Sequence, residues 1–245
     1  LAYICGDSPH ACARGDSLRY GEQALALLRT LPNPTDITIG KEAALLEAVA
    51  YGHHQEGRNR EADRFFAQAL QKHAQLGQDS TNALTARNDW AVVAEVEGRP
   101  KYSLQVYEDI LRLEAQRDPN AGPSPILLYN KARALTAIGR FADARNTFES
   151  LCRLSETHDD PFPRFRCAIG NATLALQTGE LPSARDFIER AERLLSTDYA
   201  PDDPLVFVVA VARGQYEMTQ GRFTEARARF ARTIAQAATR RRCRM

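Results

Sequence analysis

Few residues of this chain have the types and spacing that would bind a metal ion. His53 and His54 are adjacent, so on a helix their side chains point about 100° apart and cannot chelate one ion together. Cys5, His10 and Cys12 offer three ligands near the start of the chain, but no obvious fourth ligand accompanies them. The sequence therefore predicts no metal site.

Catalytic motifs are equally scarce. The segment TDITIGKE (35–42) contains Gly-Lys, but a phosphate-binding loop needs a second Gly where Thr35 stands and Ser or Thr where Glu42 stands. The chain contains no HExxH, no GxSxG and no pair of CxxC motifs. We therefore expect no catalytic residues, no cofactor and a function that is not enzymatic.

The cysteines do not form a recognisable disulfide framework. There are five of them at irregular spacings: Cys5, Cys12, Cys152, Cys167 and Cys243. An odd number without a regular pattern favours a reducing compartment, so the sequence predicts a cytoplasmic protein. Cys152 and Cys167 fall on helices that should pack together, and both are expected to be small buried thiols.

Composition and charge exclude several classes of partner. Of the 245 residues 44% are hydrophobic, and the formal net charge is +1, which argues against binding to nucleic acid or to an anionic membrane. The longest apolar runs are far shorter than the ~18 residues of a membrane span. The sequence begins at Leu1 without Met, which we interpret as a fragment of a longer protein.

A repeated pattern runs through most of the chain. Five glycines separated by 41, 41, 40 and 42 residues each stand between two apolar, helix-periodic segments: Gly57, Gly98, Gly139, Gly179 and Gly221. A small residue follows each Gly at the fifth position: Ala62, Ser103, Ala144, Ala184 and Ala226. A bulky residue follows at the ninth: Phe66, Tyr107, Phe148, Ile188 and Phe230. Another small residue precedes each Gly by seven: Ala50, Ala91, Ala132, Ala172 and Gly214.

Each repeat is interpreted as two helices joined at the Gly. Gly ends the first helix because it adopts the left-handed conformation at little cost. The second helix then starts two residues later, at Pro100, Phe141, Leu181 or Phe223. Pro- and Asp-rich segments such as DPNAGPSP (118–125) separate the repeats. The small residues let paired helices approach closely, and Trp90 is expected to be buried between neighbours. The predicted fold class is all-α.

The pattern of small residue, Gly, Ala and aromatic resembles the tetratricopeptide repeat (TPR) family in a variant with a period of about 41 residues, longer than the usual ~34. The first aromatic residue of that signature is missing. The segments RNDWA (87–91) and LYNKA (128–132) also resemble, weakly, the repeat regions of bacterial serine/threonine kinases and large transcription regulators. The resemblance implies a right-handed α-solenoid of helix-turn-helix repeats.

The resemblance also implies a domain organisation. We expect an irregular N-terminal segment over 1–16, a half repeat and linker over 17–36, and a basic tail over 239–245. In the half repeat, Ala24 takes the small position and Leu28 the bulky one. Five repeats are predicted over 37–240, with these ranges: 37–78, 79–121, 122–162, 163–202 and 203–238.

The first helix of each repeat lines the concave groove in this family, and its inward-facing positions can be carried over. They predict a partner-binding groove formed by Tyr51, His54, Asn88, Glu95, Tyr129, Asn130, Arg133, Arg166, Thr173 and Gln215. Glu47, Asp89, Val208, Val211 and Met218 fall on the same face. In this hypothesis Arg133 and Arg166 bind an acidic side chain or a free carboxylate.

The function predicted is a non-catalytic scaffold or sensor module of a larger signalling protein. Its partner would be a protein or peptide segment, or another domain of the same chain. Two alternatives stay open. One is a small-ligand sensor with Tyr51, Tyr129 and Arg133 around one pocket. The other is a catalytic helical domain with an acid/base pair among Glu47, Asp89 and Glu95.

Overall fold

Helices account for all the regular structure of the residues that the structure describes. The computed structural model describes residues 16–32, 35–77, 79–157, 159–198, 203 and 205–243, and the side chains of 18–235 within these ranges. These ranges contain eleven helices and no strand, which confirms the all-α prediction. The helices are α1 (Asp16–Leu28), α2 (Asp36–Gln55), α3 (Asn59–Leu76), α4 (Thr81–Val96), α5 (Pro100–Arg117), α6 (Pro125–Ala137), α7 (Phe141–Glu156), α8 (Phe162–Thr178), α9 (Leu181–Asp198), α10 (Leu205–Thr219) and α11 (Phe223–Cys243).

The five glycines predicted to end helices all do so in the same way. Their φ angles are positive, from 73° at Gly221 to 82° at Gly98. In each case the N–H of the following residue donates to the carbonyl oxygen four residues before the Gly, as Arg140 does to Leu135 at 2.9 Å. This is a Schellman motif, and it requires a residue that tolerates the left-handed region. The second helices begin at Pro100, Phe141, Leu181 and Phe223, as predicted.

Paired helices approach closely where a small residue faces a bulky one. The small positions named above are buried, with Ala62, Ala144 and Ala184 fully so. Glycine is used where a ring lies directly on the backbone: a Cβ on Gly170 would overlap the ring of Phe148, and one on Gly214 would overlap Phe230. Neighbouring helices therefore pack as predicted, with small residues of one helix against bulky residues of the next.

The chain divides into two compact units, residues 1–113 with 240–245 (unit 1) and residues 114–239 (unit 2). The helices α1 to α4 and most of α5 belong to unit 1. There α1 packs on α2, and a Cβ on Gly52 would come within 2.9 Å of Leu18. Helix α1 contributes Leu25 to the core of unit 1, whereas Leu27 is 71% exposed and the predicted small and bulky positions, Ala24 and Leu28, are half-buried.

Unit 2 contains α6 to α10 and most of α11, with a core built by α8, α9 and α10. The prediction of free thiols at Cys152 and Cys167 is wrong, because the two form a disulfide bond with their Cα atoms 5.2 Å apart. The bond joins α7 to α8 across a loop of 15 residues. The side-chain amide of Asn171 donates to the sulfur of Cys152, at 3.4 Å.

Charged side chains join consecutive helix pairs at equivalent places in the two units. In unit 1, Arg99, which follows Gly98, donates to Asp63 at 2.9 Å. In unit 2, Glu180, which follows Gly179, accepts from Arg145. Asp63 and Arg145 are both the sixth residue after a turn glycine. We call these two contacts the edge links; they occupy equivalent positions and their charges are reversed.

None of the described helices is long and apolar enough to cross a membrane.

Candidate functional site

Two arginine side chains converge on one tyrosine ring in unit 2. The guanidinium carbon of Arg133, on α6, lies 5.6 Å from the centre of the Tyr129 ring, and that of Arg166, on α8, lies 5.4 Å from it. Arg166 also lies over the ring of Phe162, at 4.1 Å. Cations over aromatic faces are held in place without losing their charge. The arrangement therefore holds two positive groups, from neighbouring helices, against one aromatic ring.

The surface continues from these arginines onto α10. Helices α6 and α8 are in contact, and so are α8 and α10. Thr173 on α8 is exposed, with its hydroxyl donating to the carbonyl oxygen of Ile169 at 3.0 Å. On α10 the exposed residues at helical spacing are Val208, Val211, Gln215 and Met218. We call the surface formed by Tyr129, Arg133, Phe162, Arg166, Thr173, Val208, Val211, Gln215 and Met218 the inner face of unit 2.

Asn130 is not part of this surface. Its side chain is buried, with 2% of its area exposed, although the resemblance to the repeat family predicted it in the groove. Conversely, Phe162 was missed by the sequence analysis. The signal was present, because Tyr129 precedes Arg133 by four residues and Phe162 precedes Arg166 by four, the spacing at which side chains meet on a helix.

The predicted site residues of unit 1 have local partners. Tyr51 is half-buried and its ring meets the edge of Phe66 at 5.3 Å. His54 Nδ1 lies 3.4 Å from Glu97. Asn88 donates to Asp89 at 3.1 Å, and Glu95 accepts from the hydroxyl of Tyr107 at 3.5 Å. Each of these contacts joins a predicted groove residue to a neighbouring side chain within unit 1.

Two histidines and an acid lie inside unit 1. Glu47 Oε1 and His73 Nε2 are 2.7 Å apart and both side chains are buried, so Glu47 joins α2 to α3 instead of facing the groove. The ring of His53 stacks on Phe65 at 5.0 Å, and neither of its nitrogens has a partner among the described residues. Burial lowers the pKa of His53. These groups are interior packing elements.

Two acidic groups of unit 2 form two-nitrogen contacts with arginines. Arg229 donates to Glu217 from two nitrogens, at 2.6 and 3.1 Å, and this holds the pKa of Glu217 below its ordinary value. Arg213 binds Glu192 through two nitrogens, at 2.9 and 2.5 Å, which raises the pKa of the Arg213 guanidinium. Such bidentate pairs are geometrically specific.

The remaining sequence hypotheses concern metals and the tail. Among the described residues no three His, Cys, Asp or Glu side chains lie close enough together to hold a metal ion. The candidates Cys5, His10 and Cys12 lie outside the described residues, and so do the side chains of the basic tail.

Solved structures identify the fold. BtubC (BKLC) from P. vanneervenii superposes with a TM-score of 0.67 at 17% identity, over 93% of this chain and 92% of the other. A putative kinesin light chain with nearly identical TPR-like repeats, from Podosopora anserina, gives 0.59 at 17% identity over 83% and 98%. This chain has the fold of the TPR-like repeat proteins. A tetratricopeptide repeat protein from Parabacteroides merdae gives 0.54 at 17% identity over 96% of this TPR-like chain and 90% of the other.

No family model matches the sequence, and no curated protein matches it.

Proposed function

We propose that this chain is a protein-binding scaffold and that the inner face of unit 2 holds a peptide segment of its partner. The observation that carries the proposal is the convergence of Arg133 and Arg166 on Tyr129. Two guanidinium groups held at one ring are well suited to bind carboxylates, because each presents a planar fork of donors. The TPR-like fold supports the proposal, since stacked helix pairs present extended binding surfaces.

The chemistry of the inner face suggests what the segment contains. Its acidic group would lie at Arg133 and Arg166, on α6 and α8. Val208, Val211 and Met218 are between 42% and 47% exposed on α10 and would contact apolar side chains of the same segment. The expected ligand is therefore a peptide with an acidic side chain or free carboxylate at one end and apolar residues at the other.

The wider role rests on the sequence resemblance. A sensor or scaffold module of a larger bacterial regulatory protein, located in the cytoplasm, stays a prediction. So does the small-ligand alternative, whose residues are distributed between Tyr51 in unit 1 and Tyr129 and Arg133 in unit 2.

The test starts with a peptide library selected on the whole chain. We expect the enriched peptides to carry Asp or Glu, and their affinity should fall about 10- to 150-fold for Arg133→Gln or Arg166→Gln, which is the contribution of a charge-assisted contact of about 1.5–3 kcal/mol. Arg193→Gln, an exposed position on α9, is the matched control and should bind normally.

The alternative binding surface is the basic tail, and a variant of the tail can contradict the proposal. A variant with Arg240→Gln, Arg241→Gln and Arg242→Gln should keep the affinity of the wild type at physiological salt. If this variant loses peptide binding while Arg133→Gln and Arg166→Gln retain it, the binding surface is the tail and the proposal is wrong.

A further inference from the structure

Unit 1 contains a half-open pocket of about 230 Å³ between α3, α4 and α5. It is lined by Leu70, Arg87, Trp90, Tyr102, Val106 and Asp109. Four of these six side chains are aromatic or aliphatic, so the pocket presents mainly apolar surface. Its volume is below the ~300–1,000 Å³ of pockets that enclose a drug-sized molecule. The space suits one large side chain.

The aromatic wall of the pocket is held rigidly. Trp90 Nε1 donates to Asp63 at 2.6 Å, and the same oxygen of Asp63 accepts from Arg99. The indole stacks nearly parallel to Phe66 at 6.1 Å and meets Tyr102 at 6.0 Å, with an angle of 62° between the ring planes. Trp90 is half-buried, not enclosed in the core as the sequence suggested. Side chains that are already held in place lose little further conformational entropy when a ligand binds.

The two charged residues that line the pocket, Asp109 and Arg87, differ in whether they form an ion pair. Asp109 forms an ion pair with Arg112, one turn along α5. Arg87 forms no ion pair or hydrogen bond with any residue that the structure describes. The pocket thus combines an apolar interior with one cation that forms no ion pair with the described residues, while the carboxylate of Asp109 is paired with Arg112. That combination is complementary to an apolar group with a carboxylate next to it.

The pocket is separate from the predicted groove. Successive residues of a helix are turned by about 100°, so Trp90 lies about 140–160° around α4 from Asn88 and Glu95, and Arg87 lies about 80–100° from them. It is also distinct from the inner face of unit 2, because its lining residues all belong to unit 1.

We propose that this pocket anchors a partner segment by one large apolar side chain, with an acidic residue next to it in sequence that pairs with Arg87. The occupant is a segment because one side chain and one ion pair bind weakly by themselves, so further contacts must hold the rest of the ligand. Trp90 and Tyr102 contact the inserted side chain, and Arg87 selects for the neighbouring carboxylate.

Trp90 is the only tryptophan of the chain, so its fluorescence reports directly on the pocket. The probe is the blocked peptide acetyl-Gly-Asp-Leu-Asp-Gly-amide, titrated into the whole protein with selective excitation of Trp90. One matched peptide has Asn in place of each Asp, and a second has Ala in place of Leu. We expect the acidic Leu peptide to change the emission and to bind at least about 10-fold more tightly than either matched peptide.

Protein variants separate the two parts of the interaction. Arg87→Gln should bind the Asp and Asn peptides equally, whereas Arg87→Lys should keep a preference for Asp. Val106→Phe fills the pocket and should abolish the response to all peptides. Lys101→Gln, an exposed position at the start of α5, removes the same charge outside the pocket and should behave as the wild type. Thermal melting verifies that each variant is folded.

Several outcomes would overturn the proposal. One is equal binding of the Asp and Asn peptides by the wild type; another is a preference for Asp that survives Arg87→Gln. A third is the absence of any emission change with the acidic Leu peptide. If N-acetyl-leucine alone binds as tightly as that peptide, the pocket is a small-molecule site. None of these results bears on Arg133 and Arg166, which are tested by separate variants.

Discussion

The two units use the same helix-pair packing but different chemistry inside it. Unit 1 encloses the imidazoles of His53 and His73, one stacked on a phenyl ring and one bonded to a buried carboxylate. Unit 2 joins its helices by the disulfide between Cys152 and Cys167, and the part of it that the structure describes contains no His. The difference means that protons should weaken one unit and thiol reductants the other, although both have similar backbones.

The largest expected effect is the loss of stability when a buried phenyl ring is removed, and it should be equal in the two units. Phe66 and Phe148 occupy equivalent positions and are 0% and 1% exposed. Each substitution by Ala should lower the local unfolding free energy by about 3–5 kcal/mol, because it removes a buried ring and leaves a cavity. Native-state hydrogen exchange on the whole chain measures this separately in each unit. Leu27→Ala, at an exposed position, is the control. A clear difference between the two Phe variants would show that the packing is not equivalent.

Reduction of the disulfide should affect unit 2 alone. A cross-link that closes a loop of 15 residues stabilises by about 3 kcal/mol, chiefly by restricting the unfolded chain. Adding a thiol reductant should therefore lower the hydrogen-exchange protection of α7 and α8 by that amount and leave α2 and α3 unchanged. A double variant with Cys152→Ala and Cys167→Ala should no longer respond to the reductant. Equal loss in both units would contradict the comparison.

Removing a buried acid should cost more in unit 1 than in unit 2. Glu47→Leu leaves His73 Nε2 buried without its partner, which costs about 1–3 kcal/mol. Glu217→Leu should cost less, because the side chain of its partner Arg229 is 30% exposed and can turn to water. Glu47→Gln keeps an acceptor for His73 and serves as the control. The same exchange experiment compares the three variants, and an equal cost for both Leu variants would refute the distinction.

The smallest effect should be a pH dependence confined to unit 1. Burial lowers the pKa of His53 below its ordinary value of 6.5; Arg58 lowers it further, and Glu22, Glu56 and Glu61 oppose the shift. As the pH falls, His53 is therefore protonated at a higher pH in the unfolded chain than in the folded protein. Unit 1 should be fully stable above pH 6.5 and lose stability as the pH falls from 6.5 towards the lower pKa of the folded state.

His53→Phe should reduce this loss, because Phe stacks on Phe65 without titrating. Unit 2 is the internal reference. The pKa of its buried Glu217 lies below the ordinary value of 4.5, so this group destabilises unit 2 only in more acidic solution. Hydrogen exchange at pH 7 and at about pH 5.5, corrected for intrinsic rates, makes the measurement. An equal response in the two units would show that His53 is not the cause.

Local patterns made most of the fold predictable from the sequence. Gly139 and its counterparts end helices through their own backbone freedom, and Ala144 with Phe148 specifies close packing over a few residues. The disulfide was missed although both cysteines were predicted to lie on helices that pack together, because the number and spacing of the five cysteines do not indicate which two meet. For the site, Tyr129 and Arg133 lie four residues apart on one side of α6, whereas Asn130 is turned about 100° away and is buried. To predict which residues line a groove, the rotation of each helix about its axis must be known. An error of one residue turns the helix by about 100° and can replace an exposed side chain by a buried one.

The edge links have a consequence for how such a chain can be rearranged. Exchanging helix pairs between the units would place Asp63 beside Glu180, two carboxylates, and Arg145 beside Arg99, two guanidiniums. Like charges at such close contacts repel, so each pair accepts the neighbour of its own unit and disfavours the other. The helix pairs have similar backbones, but the signs of the charges in the edge links restrict which pair can follow which. Duplication or shuffling of these modules, in evolution or in design, would have to move both partners of a link together.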